Sequence, residues 1–106
     1  MAVSVRWTET AWLDLEEVAN YIARDSRYYA ATFVAEVRSA ARSLATFADR
    51  GRVVPELSNP GVREIFVSHY RLIYQVTADS VDIIAFIHGA RDLLALWQQE
   101  HRRPVS

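Results

Sequence analysis

The spacing of hydrophobic residues changes near the middle of the chain. In the first half, two stretches repeat apolar residues every three or four positions, which is typical of one face of an amphipathic helix. Before them, AVSVRW alternates apolar and polar residues and predicts a short half-buried strand. After residue 61 the apolar residues occur in short runs that predict strands. We therefore expect an α+β domain.

Each predicted helix has a signal for its beginning. Thr8 precedes ETAWLDLEEVANYIAR, and Ser26 follows the break in the pattern at RDSRYY, so both side chains can cap a helix N-terminus. The apolar stripe of the second helix runs from Ala30 to Phe47, and Gly51 supplies a C-terminal stop. Because the link between the helices is short, they should form an antiparallel hairpin.

The second half of the chain predicts three strands and a closing helix. The strands are VREIFVS, YRLIYQV and VDIIAFI, joined by a tight turn near Ser68–His69 and by TADS. The last two are apolar at nearly every position, which indicates strands covered on both faces. ARDLLALWQQEH predicts the helix. The expected order is β-α-α-β-β-β-α, a small antiparallel sheet of about four strands with the helical hairpin on one face.

Length and composition bound the class of protein. The chain of 106 residues suits one domain over 1–106, with a loose tail over 102–106. The sequence has no cysteine, no apolar run long enough to span a membrane, and no secretory signal in MAVSVRWTET. We expect a cytoplasmic protein without a membrane partner.

The charged residues restrict the chemistry that a site could perform. All twelve basic residues are arginine, and the net charge is −1. An anion site must therefore use guanidinium groups, and no lysine can act as proton donor or nucleophile. The sequence lacks a glycine-rich phosphate loop, and the histidines at 69, 88 and 101 do not have the spacing of metal ligands. Neither a metal nor a cofactor is expected.

Arg71 interrupts an otherwise apolar strand, and two explanations are open. An unpaired buried charge is very unfavourable, so the guanidinium could pair with Glu64 or Asp82 on an adjacent strand. Alternatively, Arg71 and Arg91 could converge on an anion-binding surface. The full set of candidates on or beside the strands is Arg63, Tyr70, Arg71, His88 and Arg91.

The segment HGARD follows the last strand and should join it to the closing helix. Gly89 would give the bend, and Arg91 would turn back toward Arg71. Asp92 could pair with Arg91 or cap the helix. The sequence leaves that choice open.

These segments together resemble the RelE/ParE superfamily of bacterial toxins from type II toxin–antitoxin modules. The resemblance spans roughly residues 3–97 and rests on DLEEVANYIA, GRVVPEL, VREIFVSHYRLIYQV and HGARDL in this order. It implies a small sheet carrying a helical hairpin, and a cognate antitoxin bound in a hetero-oligomer. The first helix has a surplus apolar strip that could hold the antitoxin or fill a broad helix–sheet contact, and its residues are Trp12, Leu15, Ala19 and Ile22.

The resemblance implies one of two activities. RelE-type toxins are ribosome-dependent mRNA endoribonucleases that use basic residues on the sheet and a C-terminal tyrosine, whereas ParE-type toxins inhibit DNA gyrase. Arg71 and Arg91 match arginines of the RelE pattern. Its two lysines, however, fall at Val62 and Glu64, and its tyrosine falls at Trp97.

These departures favour the ParE branch. RNA cleavage needs a proton acceptor and a proton donor beside the phosphate, and arginine is a poor proton carrier. A ribosome-binding nuclease would also be strongly basic, whereas this chain is nearly neutral. We expect a gyrase inhibitor; the alternative is an endoribonuclease that uses Arg71, Arg91 and His88. The expected functional surface comprises Arg63, Tyr70, Arg71, His88, Arg91 and Trp97.

Overall fold

The computed structural model describes the backbone of residues 3–100 and the side chains of residues 3–97. The tail predicted over 102–106 lies outside this part. Among the residues that the structure describes, no helix is long and apolar enough to cross a membrane. In chain order the elements are β1 (Ser4–Trp7), α1 (Glu9–Ala23), α2 (Arg27–Ser43), β2 (Arg52–Val53), β3 (Val62–Val67), β4 (Tyr70–Val76), β5 (Ser80–His88) and α3 (Leu93–Glu100).

Both long helices begin at the predicted caps. Thr8 Oγ1 accepts a hydrogen bond from the Ala11 amide at 3.1 Å, and Ser26 Oγ accepts one from the Tyr29 amide at 3.1 Å. Each bond satisfies an amide that has no partner inside its own helix. The predicted N-termini are therefore confirmed.

The C-terminus of α2 comes earlier than the sequence predicts. The helix ends at Ser43, and the Leu44 amide bonds to the Ala41 carbonyl three residues back, which tightens the last turn. The Ala45 carbonyl is then free to accept the Val3 amide, which attaches β1 to the end of the hairpin. Phe47 is therefore exposed, and the prediction that it continues the apolar stripe is wrong.

The sheet has five strands in the order β1-β5-β4-β3-β2, rather than about four. The additional strand is β2, two residues within the predicted loop, which pair with Arg63 and Glu64 of β3. The sheet is also mixed, because β1 pairs in parallel with β5 while the other pairs are antiparallel. The direction of β1 relative to β5 depends on the path of the chain between them. The local spacing of apolar residues gives no information about that path.

Both faces of the central strands are covered, as their continuous apolar runs predict. The helical hairpin packs on one face, which we call the hairpin face, through Leu15, Val37, Leu44, Leu72 and Phe86. Helix α3 and the segment after β2 pack on the opposite face, which we call the α3 face, through Val54, Val62, Ile73, Ile87, Leu93, Leu96 and Trp97.

A β-bulge changes which side chains of β5 point to each face. Ile73 pairs with Ala85 and Tyr74 pairs with Ile83, so Ile84 has no partner on β4. The extra residue shifts the alternation of side chains that follow it. Ile83 and Phe86 consequently both contribute to the hairpin-face core, although three positions separate them.

Candidate functional site

Arg71 is held by two carboxylates on the α3 face. Its Nε donates to Glu64 Oε1 at 2.6 Å, and its two terminal nitrogens donate to Glu56 at 2.8 and 2.9 Å. Glu64 in turn accepts a bond from Arg52 Nε at 2.6 Å. We call these four side chains the Arg71 network. The ion-pair explanation of Arg71 is confirmed, with Glu64 as the partner, whereas Asp82 pairs with Arg6.

The contact between Arg71 and Glu56 favours the charged forms of these two side chains. The bidentate bond from Arg71 lowers the pKa of Glu56 below its ordinary value of 4.5. The same bond raises the pKa of Arg71, although burial opposes this effect. The guanidinium is therefore already bound by carboxylates of the protein, which occupy the donors that an external anion would need. The prediction that Arg71 belongs to an open anion-binding surface is wrong.

All four positions of the RelE pattern on the α3 face are buried. The exposed fraction is 0% for Val62, 2% for Glu64, 4% for Arg71 and 4% for Trp97. Trp97 is part of α3 and packs in the α3-face core, so its side chain is not exposed in this structure, and its functional role stays a prediction. The cause is coverage by α3 and by the segment that carries Glu56. A substrate could reach these side chains only if that cover moved.

A groove of about 430 Å³ lies on the other side of β5, between that strand and α1. We call it the α1–β5 groove. Ten residues line it, namely Asp14, Glu17, Val18, Tyr21, Arg24, Tyr70, Phe86, Ile87, His88 and Arg91. It therefore collects three of the predicted site residues, Tyr70, His88 and Arg91, but not Arg71. The predicted convergence of Arg91 with Arg71 is wrong.

The groove side chains are positioned by β5 and the turn after it. Tyr70 stacks on Phe86 with ring centroids 5.2 Å apart, and the ring of His88 meets Tyr70 edge-on at 5.6 Å. The bulge in β5 is the reason that His88 lies on this side, because it places the later residues out of step with the earlier ones. His88 and Arg71 therefore lie on opposite faces of the sheet.

The turn HGARD is closed by local hydrogen bonds. His88 Nδ1 accepts the Ala90 amide at 3.1 Å, and the His88 carbonyl accepts the Arg91 amide at 3.0 Å. An imidazole that accepts at Nδ1 carries its proton at Nε2 in the neutral form. Asp92 Oδ1 accepts the Ala95 amide at 3.2 Å, which makes it the cap of α3.

Two further contacts at the site were missed by sequence reasoning. Asp14 of α1 accepts the Phe86 amide of β5 at 3.0 Å, and these residues are 72 positions apart. Glu56 lies in a segment that the pattern predicts only as a loop, 15 positions before Arg71. A carboxylate on a helix face or in a loop carries no local signal for such a distant partner.

The remaining predicted residues divide between structural and exposed positions. Arg63 donates to the Gly51 carbonyl at 2.8 Å and supports the turn before β2. Leu15 is only 2% exposed and packs in the hairpin-face core, and its role in antitoxin binding stays a prediction. Ala19 and Ile22 are half-buried, and Trp12 is 39% exposed.

Comparison with known proteins decides the family. Residues 5–93 match the family described as "ParE toxin of type II toxin-antitoxin system, parDE". The chain belongs to the ParE toxin family. It is also 34% identical over 88 residues to Toxin RelE2 of Caulobacter vibrioides, which covers 82% of this chain and 96% of that protein. This ParE-family chain is thus a type II toxin of the RelE/ParE superfamily.

Two solved structures share the fold of this ParE-family chain. A chain of the chromosomal ParDE system of P. aeruginosa aligns with a TM-score of 0.69 at 21% identity, covering 82% of this chain and 96% of that one. A chain of the RelBE2 toxin–antitoxin complex of Mycobacterium tuberculosis aligns with a TM-score of 0.58 at 24% identity, covering 83% and 99%. Both alignments cover more than four-fifths of this chain.

Proposed function

We propose that this toxin inhibits DNA gyrase and that a cognate antitoxin neutralises it. The observation that carries the proposal is the burial of Val62, Glu64, Arg71 and Trp97. In the RelE pattern these positions act on RNA. Here two of them are apolar or aromatic core residues, and the other two neutralise each other through an ion pair. The match to the ParE family is consistent with this reading.

The exposed residues do not supply the missing RNA chemistry. His88 can exchange a proton, and Arg91 can stabilise negative charge, but Arg71 lies on the opposite face of the sheet. In-line attack by a ribose hydroxyl needs these functions around one phosphate. The net charge of −1 also gives little attraction to ribosomal RNA.

We assign the target-binding surface to the turn after β5 and the α1–β5 groove beside it. The sequence prediction for this surface is HGARDLLALW, but Leu93, Leu96 and Trp97 are buried. The exposed part is residues 88–92 together with Leu94. This surface joins a cation, Arg91, to aromatic rings that a protein partner could contact.

The direct test is a supercoiling assay with purified gyrase and the free toxin. We expect inhibition by the wild-type toxin and about tenfold weaker inhibition by Arg91→Ala, because arginine is enriched among the few interface residues whose truncation weakens binding most. Arg27→Ala is the matched control, since Arg27 is also exposed but lies outside the groove. Gyrase that remains fully active at clear excess of folded wild-type toxin would contradict the proposal.

The second candidate is a ribosome-dependent endoribonuclease, favoured by the identity to a protein named RelE2. Toe-printing on translating ribosomes tests it. Arg71→Ala is a poor probe, because the buried carboxylate of Glu64 would lose its ion pair with Arg71. This loss would destabilise the fold. His88→Ala and Arg91→Ala keep the core intact. Codon-specific cleavage that either variant abolishes would establish this function instead of gyrase inhibition.

The second part of the proposal is that an antitoxin binds this toxin. Both structural neighbours come from toxin–antitoxin systems, one of them solved as the complex. The hairpin of this chain exposes apolar surface, including Trp12 and Leu13 of α1. Such surface is a common site for an amphipathic partner helix.

A further inference from the structure

The charged side chains of the α1–β5 groove are ordered along its length. One wall is formed by residues that follow one another every three or four positions of α1 and its C-cap, namely Asp14, Glu17, Tyr21 and Arg24. This spacing places their side chains on one face of the helix. Two helical turns, or about 10 Å along the axis, separate Glu17 from Arg24. The wall is therefore acidic at its beginning and basic at its end.

The opposite wall, β5, runs in the same direction as α1. Just before the helix begins, the Thr8 amide donates to the Ile83 carbonyl at 3.0 Å. Further along both elements, Asp14 accepts the Phe86 amide at 3.0 Å. The helix and the strand therefore advance together toward the tip of the helical hairpin.

Arg91 joins Arg24 at the basic end of the groove. Its amide bonds to the His88 carbonyl at 3.0 Å, which holds it beside the last residue of β5. On the facing wall, the Arg24 guanidinium lies 5.3 Å from the centre of the Tyr21 ring. Tyr70, whose ring contacts that of His88, adds a second aromatic side chain to the groove.

The charges at both ends are available to a partner. Glu17, Arg24 and Arg91 are exposed, and none of them forms an ion pair with another side chain in residues 3–97. Asp14 is already bonded to the Phe86 amide, so the acidic end depends mainly on Glu17. The groove thus presents opposite charges at its two ends.

This order of charges selects among possible occupants. A nucleic acid strand carries a negative charge on every nucleotide and would bring phosphates against Glu17. A uniformly basic segment would meet Arg24 and Arg91. A protein segment that carries both signs in the opposite order complements both ends.

We propose that the α1–β5 groove binds a segment of the target protein that has an acidic side chain at one end and a basic side chain at the other. The acid binds Arg24 and Arg91, the base binds Glu17, and an apolar or aromatic residue between them packs on Tyr21 and Tyr70. An extended segment spans the distance of about 10 Å in three residues. That the target is gyrase rests on the proposed function, whereas the order of charges does not.

The test is an NMR titration of the full chain, labelled with ¹⁵N, with capped tetrapeptides of defined charge. The first peptide carries glutamate, phenylalanine, valine and lysine, and we expect it to shift the amide signals of the groove. Reversing the basic end, in Arg24→Glu with Arg91→Glu, should weaken its binding at least about fivefold. A peptide with lysine at both ends should regain that loss on the double variant, which a merely structural defect would not allow.

The acidic end has a parallel test. Glu17→Lys should weaken the first peptide, and a peptide with glutamate at both ends should restore binding to this variant. Arg27→Glu and Glu16→Lys are the matched controls, since both residues are exposed but lie outside the groove. Both controls should bind the first peptide like the wild type.

Other outcomes overturn the inference. Absence of binding at millimolar peptide, or equal binding of all three peptides, would show that the charges do not select the segment. Tighter binding of an oligothymidylate than of any peptide would assign the groove to nucleic acid. Concentration-dependent shifts of the same amides without peptide, which the peptide does not reverse, would assign it to a second copy of the chain.

The supercoiling assay separates this inference from the proposed function. If the wild type inhibits gyrase, the double reversal and Glu17→Lys should each weaken inhibition about tenfold, and the two controls should not. Inhibition that survives both reversals would contradict the inference alone. Gyrase that stays active while the peptides bind with the expected order of charges would contradict the proposed function alone.

Discussion

The guanidinium of Arg71 shows how this chain accommodates a charge inside a sheet face. Three of its nitrogens donate to Glu56 and Glu64, so the cost of burial is offset by bonds to two anions. Arg52 donates a hydrogen bond to the second carboxylate oxygen of Glu64. At this scale the network holds the segment after β2 against the sheet, and it uses the arginine that the RelE pattern assigns to RNA.

The pH dependence of folding provides a test of this network. Because the folded pKa of Glu56 is lowered, its contribution is present above its ordinary value of 4.5 and is lost as the pH falls through the folded value. We expect Glu56→Gln to cost about 1 kcal/mol of unfolding free energy at pH 7, discounted for partial exposure. The difference from the wild type should shrink below pH 4.5.

Urea denaturation at several pH values would measure this dependence. Glu16→Gln is the control, since Glu16 is exposed on α1 and should show little difference at any pH. A constant difference between Glu56→Gln and the wild type from neutral to acid pH would mean that ionisation of Glu56 does not stabilise the fold.

Among the elements, α3 has the largest influence on what the protein can do. Asp92 caps its beginning, and Leu93, Leu96 and Trp97 pack against the sheet. The helix thereby closes the face that carries Arg71 and leaves the α1–β5 groove as the accessible side of β5. A short helix that simply completes the core also decides which residues a partner can touch.

The packing of α3 predicts a clear contrast between neighbouring leucines. Leu96 is 2% exposed, so Leu96→Ala removes buried apolar contacts and should lower the free energy of unfolding by about 2–5 kcal/mol. Leu94 is 43% exposed, and Leu94→Ala should change it by less than about 0.5 kcal/mol. Equal losses in denaturant titrations would show that α3 does not pack on the sheet through the face described.

For the molecule as a whole, the two cores leave apolar surface uncovered on the helical hairpin. Trp12, Leu13, Tyr21, Tyr28 and Tyr29 are all exposed. The free toxin therefore has less buried apolar area than its composition would allow, and a partner can supply the rest. This surface adjoins the edge of β1 through Trp12.

We accordingly expect the antitoxin to raise the thermal stability of the toxin. At a concentration one hundredfold above Kd, a partner adds about 2.7 kcal/mol, which corresponds to roughly 10 °C or more in Tm for a domain of this size. Thermal unfolding of the toxin alone and of the complex would measure the shift. An unchanged Tm at saturating antitoxin would exclude this coupling.

Much of the architecture follows from local patterns in the chain. The caps at Thr8 and Ser26, the helical hairpin and the three long strands each depend on neighbouring residues, whose spacing is visible without coordinates. The superfamily was also accessible, because its segments occur in order along nearly the whole chain. The ion pair of Arg71 with Glu64 was one of the two explanations that the sequence offered for Arg71, since a buried charge requires a partner.

The arrangement of the site depended instead on contacts between distant residues. The bulge at Ile84 turns His88 to the hairpin face, Glu56 reaches Arg71 from a loop, and β1 runs parallel to β5. None of these has a local sequence signal, because each is selected by the packing of surfaces that meet only after the chain has folded. The composition of a site can be read along a chain, but the face on which each side chain lies is a property of the assembled sheet.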